Sequence, residues 1–330
     1  MNNIARKKII IWGGFWGVNE VSLDKTNINS HASVSAYFLQ EALSKYFDVI
    51  LIPDFYKIKD SLLHKDAVAI ISTFQRGFTK LHEVCGKDVF DMIKNNFPGL
   101  LCSIVDLPEF RSYDENILFT VRPYNKNLKS LIKSLLIKPK VFEIGWCADP
   151  KECFPLEMPD NEFNIFVDHG NYAGEDVNKI FYAALLKLKQ KYKNIKIYAQ
   201  TNNGIEEVRR NIDEEYDRTS KIGWLDLINI YKKTHIFCCT HRESAGLAAI
   251  EAAMCGAKLY VPVSGDSYIS KELLEPNINY IGIDCKENSI LKEFEKDILQ
   301  NIDRINNHNA TLKSNTWGLA AKCIWKVLSK

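Results

Sequence analysis

Residues 232–262, KKTHIFCCTHRESAGLAAIEAAMCGAKLYVP, constrain the fold more than any other part of the chain. Two short apolar runs, 235–239 and 258–261, are separated by a loop and by a segment of small residues that opens at about Ser244 and stops near Gly256. Short apolar runs favour strands, and a glycine after an alanine-rich segment is typical of a helix C-terminus. The stretch therefore predicts a strand–helix–strand unit whose two strands lie parallel in one sheet.

Two glutamates, Glu243 and Glu251, add a chemical pattern to this unit. If helix joins them, they lie about 12 Å apart at 1.5 Å per residue, which roughly matches the reach from the ribose to the sugar ring of a nucleotide diphosphate sugar. Backbone N–H groups at a helix N-terminus bind diphosphates well. The predicted N-terminus supplies these groups from Ser244, Ala245, Gly246 and Leu247.

The stretch resembles the E-x7-E signature of retaining GT-B glycosyltransferases of the family 4 type. The resemblance covers roughly residues 163–262 well, and the first half of the chain only in its general pattern. It implies that Glu243 contacts the donor sugar, that Glu251 contacts the donor ribose, and that no protein nucleophile is required. The ordinary alternative is an acid near a helix N-terminus at Glu243 and a solvated helix residue at Glu251.

Apolar strands and helices alternate along the rest of the chain, which predicts an α/β protein with doubly wound parallel sheets. The length of 330 residues favours two domains, and the proline-rich segment 147–162 is typical of a linker. We expect a Rossmann-like acceptor domain at 1–150, a Rossmann-like nucleotide-sugar donor domain at 151–312, and a C-terminal helix within 313–330 that packs back on the first domain. By the resemblance this is the GT-B architecture, with the two domains facing a cleft.

The first predicted strand, 8–12, is followed directly by Gly13, Gly14 and Trp16. A glycine-rich turn at this point of an α/β fold lets the backbone approach a ligand, and the resemblance places acceptor and donor phosphates there. The pattern is neither G-x-G-x-x-G nor a P-loop, so it does not indicate dinucleotide or ATP binding. A tight turn with a packed tryptophan explains the same residues.

Polar residues after two other predicted strands complete the candidate catalytic set of Glu243, Asp106 and His169. The resemblance places polar groups facing the acceptor at the position of Asp106, although such an aspartate more often caps a turn. Family 4 enzymes usually carry an arginine and a lysine after the strand that precedes His169, and this chain has neither there. His169, the local backbone amides or an arginine from elsewhere in the chain is left to neutralise the diphosphate.

Ile222 and Trp224 precede the helix that leads into the organising stretch. In enzymes of the family that this chain resembles, the backbone at this point holds the edge of the nucleobase, so both residues are candidates for donor binding. Burial in the core is an equally good explanation for two large apolar side chains.

The amino-acid composition argues against nucleic acid and metal ions as binding partners. The formal net charge of +2 provides no broad basic field for nucleic acid, and the nine cysteines form no CxxC pair that would suggest a metal site. The chain carries no DxD motif positioned after a strand, so we expect no metal and no cofactor beyond the nucleotide-sugar co-substrate.

The basic start and short apolar run of the N-terminus indicate a first strand and not a signal peptide, and no apolar run is long enough for a membrane span. We expect a cytoplasmic protein, with peripheral membrane contact left open.

The leading hypothesis is a hexosyltransferase that moves a sugar from a UDP- or GDP-sugar to a glycan, lipid-linked or small-molecule acceptor with retention, as in polysaccharide biosynthesis. Three alternatives stay open: an inactive nucleotide-sugar-binding protein, favoured by the missing arginine and lysine; a GT-B-fold sugar-nucleotide epimerase, which needs acid and base groups; and a viral DNA-base glucosyltransferase. The near-neutral charge counts against the last, since a duplex-binding face is rich in Lys and Arg.

Overall fold

The computed structural model describes residues 6–13, 31–73, 78, 81, 86–105, 114–121, 126–134, 138–159, 161–168, 175–201, 213–217, 223–239, 246–262, 280–283 and 286–330. The chain forms two compact units, one made of Met1–Trp146 with Trp317–Lys330 and the other of Cys147–Thr316. Within the described ranges, none of the helices combines the length and the hydrophobicity needed to cross a bilayer.

The first unit is built on a parallel sheet of six strands in the order β2-β1-β3-β4-β5-β6. Its strands are β1 (Lys8–Trp12), β2 (Asp48–Ile52), β3 (Ala67–Ser72), β4 (Leu100–Val105), β5 (Ile117–Thr120) and β6 (Lys140–Glu143). Its helices are α1 (His31–Leu43), a 3-10 helix (Phe55–Leu63), α2 (Lys87–Asn96) and α3 (Lys126–Ser134). The run Ile9, Ile10 and Ile11 in β1 is buried on both faces, which explains why the central strand is continuously apolar and not alternating.

The final helix belongs to the first unit, although the whole second unit separates it in the sequence from the rest of that unit. This helix, α9 (Trp317–Leu328), packs on α1, and the ring of Trp325 stacks on Tyr46 with 5.2 Å between centroids. Lys7 Nζ donates to the carbonyl of Leu328 at 3.3 Å. The apolar period of the last residues is therefore satisfied by packing against the first helix of the chain.

The second unit also has a six-stranded parallel sheet, in the order β12-β11-β10-β7-β8-β9. Its strands are β7 (Phe163–Asp168), β8 (Ile195–Thr201), β9 (Glu214–Asp217), β10 (Ile236–Cys239), β11 (Lys258–Pro262) and β12 (Tyr280–Ile283). Its helices are α4 (Glu175–Lys191), α5 (Trp224–Tyr231), α6 (Leu247–Met254), α7 (Glu287–Gln300) and α8 (Arg304–Leu312). Counted from its own first strand, this is the 3-2-1-4-5-6 order of a dinucleotide-binding fold.

One predicted helix is wrong, and three elements were not predicted: the 3-10 helix, β9 and α8. The pattern favours a single helix over 289–306, but α7 ends at Gln300, and Asn301 takes the positive φ of 56° that breaks the helix. Asp303 then caps α8, because its side chain accepts the N–H of Asn306 at 2.9 Å. The 3-10 helix at 55–63 buries Phe55, Ile58 and Ser61 at a spacing of three, which is neither the α-helical nor the strand period. The acidic sequence of β9 is untypical of a strand.

Arg304, at the start of α8, ties together three separate parts of the second unit. Its guanidinium donates to the carbonyls of Leu156 at 2.7 Å, of Cys255 at 3.0 Å and of Lys232. Lys232 and Cys255 are the C-cap residues of α5 and α6, so a positive charge lies at the negative ends of both helix dipoles. The side chain is only 8% exposed, and these contacts offset the cost of burying it.

Gly256, just after α6, allows the backbone of α8 at Arg304 to approach closely. Its φ is +90°, and a Cβ built on it lies 2.7 Å from the carbonyl oxygen of Arg304. We predict that Gly256→Ala lowers the free energy of unfolding by about 1–2 kcal/mol for the left-handed backbone and by about 1–3 kcal/mol more for the steric clash.

Urea unfolding measures this difference, and Gly86→Ala is the matched control. Gly86 also has a positive φ, of +84°, but no described atom lies within 4 Å of its added Cβ. The control therefore loses stability through backbone strain alone, at φ 84° and ψ 158°, a conformation essentially restricted to glycine. A loss in Gly256→Ala of no more than about 2 kcal/mol, the upper value for strain alone, would show that the close approach to Arg304 contributes nothing.

A buried carboxyl group lies in the core of the first unit. Glu115 Oε1 accepts the N–H of Phe78 and the hydroxyl of Ser103, both at 2.8 Å. Its Oε2 is buried and has no hydrogen-bond partner in the described part of the chain. Burial raises the pKa of Glu115 above its ordinary value, and the two hydrogen bonds lower it only in part. Between the ordinary pKa of a glutamate and this raised pKa, the folded protein therefore binds more protons at Glu115 than the unfolded chain does.

We predict that the wild type loses stability, relative to Glu115→Gln, as the pH rises above about 4.5, the ordinary pKa of a glutamate. The unfolded state then binds fewer protons than the folded state, so the difference grows up to the raised pKa and is constant beyond it. Urea unfolding of both proteins across this pH range measures the effect. Parallel stability curves would show that Glu115 is ionised in the folded protein.

Candidate functional site

The strand order of the second sheet reverses between β7 and β10. The two strands pair in parallel and end side by side, with Cys239 opposite Asp168. In open α/β sheets, ligands bind outside the carboxyl ends of the strands at such a switch point. The segments that follow these two strands are the ones that carry His169 and Glu243 in the sequence.

The start of α6 lies beside this edge of the sheet. Gly246, its N-cap, has a left-handed backbone with φ 36° and ψ 68°, and its carbonyl accepts the N–H of Ile250 at 3.0 Å. A glycine adopts this conformation at no steric cost, and the N–H groups that follow it are free of helical partners. The helix begins at Leu247 and not at about Ser244, so the expected 12 Å of continuous helix between Glu243 and Glu251 is wrong.

Glu251 lies in the second turn of α6 and is only 2% exposed. Its Oε1 accepts the indole N–H of Trp224 at 2.7 Å, and no other described residue bonds to its Oε2. Burial raises the pKa of Glu251 to about 8, although the hydrogen bond from Trp224 opposes that rise. Glu251 is therefore not a solvated helix residue. It is a largely neutral carboxyl group near pH 7 with one oxygen held by the protein.

Trp224 is the first residue of α5, and its buried ring connects α5 to α6. The sequence identifies it as a candidate for the nucleobase edge through its backbone. The structure shows in addition that its side chain holds Glu251, from a position 27 residues earlier in the chain. No spacing rule joins two residues on different helices, so the sequence alone gives no indication of this pair.

The remaining candidates are distributed as follows. Gly13 lies in the first unit, at the end of β1, where its N–H donates to the carbonyl of Ile52 at 3.1 Å. That N–H is therefore used within the sheet. Leu247 is buried in the first turn of α6. The candidates that lie outside the described residues are Glu243, Asp106, His169, Gly14, Trp16, Ile222, Ser244 and Ala245.

The groups around Glu251 are mostly uncharged. The thiol of Cys153 lies close enough to Glu251 for the carboxylate charge to contribute to its raised pKa, and it also hydrogen-bonds to Cys255. Among the described residues, no cluster of three His, Cys, Asp or Glu side chains is placed to hold a metal ion. What the described part of this site offers is a hydrogen-bonding carboxyl group beside a helix N-terminus.

No protein-family model matches the chain, and no curated protein matches it either. Solved structures are similar over 98% of this chain. They include sucrose-phosphate synthase from Thermosynechococcus elongatus, with a TM-score of 0.66, 11% identity and 98% of that chain covered. HepE from Anabaena, solved with UDP and glucose, has a TM-score of 0.61, 11% identity and 100% of its chain covered. A protein from Listeria monocytogenes with the provisional description UDP-N-acetylglucosamine 2-epimerase has a TM-score of 0.62, 13% identity and 96% of its chain covered.

The chain has the GT-B fold. Two Rossmann-like units with parallel sheets are the architecture that the sequence predicts, and the fold class is confirmed. In this GT-B chain, the switch point of the second unit, the left-handed start of α6 and the buried Glu251 lie on the unit that the sequence assigns to the donor.

We predict that Trp224→Phe raises the pKa of Glu251 above its value of about 8. Phenylalanine keeps an apolar ring in the buried site but removes the indole N–H, so the ionised carboxylate loses its one described hydrogen bond. Carboxyl carbon NMR of glutamate-labelled protein measures the pKa, and the resonance that is missing from Glu251→Gln assigns it. An unchanged or lower pKa in a folded Trp224→Phe variant would contradict the prediction.

Proposed function

We propose that this protein is a glycosyltransferase that transfers a sugar from a UDP-sugar to a hydroxyl acceptor, with retention of the anomeric configuration and without a metal ion. The observation that carries the proposal is the position of Glu251. A buried carboxyl group with one oxygen fixed by Trp224 lies on the helix that begins beside the switch point of the second sheet. The other oxygen is left for a ligand.

The proposed donor site pairs Glu251 with the N-terminus of α6. The Oε2 atom of Glu251 accepts hydrogen bonds from the ribose hydroxyls, and the N–H groups that follow Gly246 hold the diphosphate. Stabilising the leaving diphosphate is the main electrostatic requirement of sugar transfer, and a helix N-terminus meets it without a cation. The choice of UDP rests on the similar GT-B structure of HepE, which was solved with UDP and glucose.

The sequence resemblance supports the remaining roles. In the proposal, Glu243 orients the donor sugar, His169 helps to neutralise the diphosphate, and Asp106 faces the acceptor. No protein nucleophile takes part. The acceptor is a glycan, a lipid-linked sugar or a small molecule with a free hydroxyl group.

We predict that UDP binds the wild type and that Glu251→Ala weakens this binding by about 10- to 150-fold, the range for a hydrogen bond to a charged group. Because the carboxylate accepts the hydroxyls and the free group titrates at a pKa of about 8, the affinity of the wild type rises with pH until that value. In Glu251→Gln the pH dependence disappears. Calorimetric titration in EDTA measures both effects, since the proposal needs no divalent cation.

Glu295→Ala is the control, because Glu295 forms a surface ion pair with Lys191 on the α4–α7 face and contacts no part of the proposed site. It should bind UDP like the wild type. No UDP binding by the wild type, or equal losses in both alanine variants, would overturn the proposed donor site.

A sugar-nucleotide epimerase is the second candidate, favoured by the similarity to the Listeria protein over 96% of its length. The two reactions differ in their products. An epimerase converts a UDP-sugar to its epimer without any acceptor, whereas a transferase releases UDP in step with acceptor glycosylation. Chromatography of UDP-N-acetylglucosamine incubated with the protein, with and without candidate acceptors, separates the two.

A further inference from the structure

A cavity of about 500 Å³ lies in the second unit, at the amino ends of the strands. It is bordered by the start of β7, by the residue before β10, by the α7–α8 junction and by residues 155–159. Its volume falls in the range of small-molecule pockets, ~300–1,000 Å³. The six residues of β7 separate it from the switch point by about 20 Å at 3.3 Å per residue. It is therefore distinct from the site around Glu251.

His235 provides a buried hydrogen-bond donor to this cavity. The side chain is 5% exposed, lines the cavity and stacks on Phe163 with 4.8 Å between ring centroids. Its Nδ1 accepts the backbone N–H of Asn164 at 3.0 Å, so the ring proton must be on Nε2. Burial lowers the pKa of His235 to about 4, so the ring stays neutral near pH 7. The Nε2–H has no partner among the described residues.

Three carboxylates and one guanidinium line the cavity, and the protein compensates their charges only in part. Arg304 bonds three carbonyls, two of them at helix C-termini. Glu162 pairs through Oε1 with Lys196 at 3.2 Å, and Asp303 caps the N-terminus of α8 through Oδ1. Glu157 is exposed to solvent. The second carboxylate oxygens of Glu162 and Asp303 are available as acceptors, and the buried Nε of Arg304 has no hydrogen-bond partner among the described residues.

The same wall of the cavity carries a strained residue. Asn301 has φ 56° and ψ 117°, a backbone conformation that is rare for any residue with a Cβ. Glycine would adopt it at lower cost, but only an asparagine adds an amide, which both donates and accepts, to the cavity wall. Strain of this kind, when it lies beside a cavity, supports a role in binding.

We propose that this cavity binds a neutral, hydroxyl-rich molecule, a monosaccharide or disaccharide. A sugar hydroxyl accepts from His235 Nε2–H and donates to the free oxygens of Glu162 and Asp303, while the isoleucines of the α7–α8 junction, Ile298 and Ile302, cover its apolar C–H faces. An anion meets three carboxylates in the lining, and the spermidine comparator below tests whether these carboxylates favour a cation instead. This second site does not depend on the proposed glycosyltransferase function.

Ligand-observed NMR titration tests the proposal with glucose, N-acetylglucosamine, maltose and sucrose as probes, and with spermidine and citrate as charged comparators. We expect saturable binding of at least one neutral sugar by the wild type. UDP should not displace it, and Glu251→Gln should retain it, since both concern the opposite edge of the sheet. Displacement by UDP, loss in Glu251→Gln, or binding of the charged comparators alone would overturn the proposal, as would the absence of saturable binding by every neutral sugar.

Asn301→Gly separates a binding role from a structural one. Removing the Cβ relieves strain that offsets the larger chain entropy of glycine, so the unfolding midpoint should not fall. Loss of the amide should weaken sugar binding by about 3- to 10-fold, the range for one neutral hydrogen bond. Asn309→Ala, an exposed change on α8 that does not line the cavity, should leave the affinity unchanged. Equal affinities in the wild type and Asn301→Gly, or an equal loss in Asn309→Ala, would show that the cavity wall does not bind the sugar.

Discussion

The guanidinium of Arg304 holds the second unit together at the point where α5 and α6 end. It bonds the C-cap carbonyls of α5 and α6, and these helices begin, at their opposite ends, with Trp224 and with the left-handed turn at Gly246. The hydrogen bond between Trp224 and Glu251 requires a fixed spacing between the two helices. A clamp at one end of the pair and a hydrogen bond near the other supply that spacing, and Gly256 lets α8 approach closely enough to form the clamp.

Burial raises the pKa of two glutamates in this protein, with different consequences. Glu115 lies in the core of the first unit, and both of its hydrogen bonds converge on one oxygen. Its proton is a matter of stability only. Glu251 lies beside the edge where α/β folds bind ligands, and burial raises its pKa as well. Desolvation of a carboxyl group therefore affects the pH dependence of stability in the first unit. In our proposal, it affects the pH dependence of ligand binding in the second unit.

The sequence predicts the elements whose signal is local, and it fails where tertiary contacts decide. The β10–α6–β11 unit follows from two apolar runs, an alanine-rich segment and a glycine stop. The start of α6 differs because a left-handed Gly246, and not a side-chain cap, begins the helix. The apolar period across 289–306 continues through Asn301, so only the backbone shows the break. The contact between Trp224 and Glu251 joins two helices, so no periodic pattern in the sequence indicates it. Glu251 itself is a candidate from the sequence, because of its spacing from Glu243.

The placement of α9 constrains how this protein is made. Its residues are translated after the whole second unit, yet they cover α1 in the first unit, where Trp325 meets Tyr46. During synthesis, the face of α1 that α9 covers therefore stays exposed until the entire second unit has been translated. The unit whose translation starts first is therefore the last to become complete. A nascent chain halted before Trp317 lacks the helix that covers this face of α1.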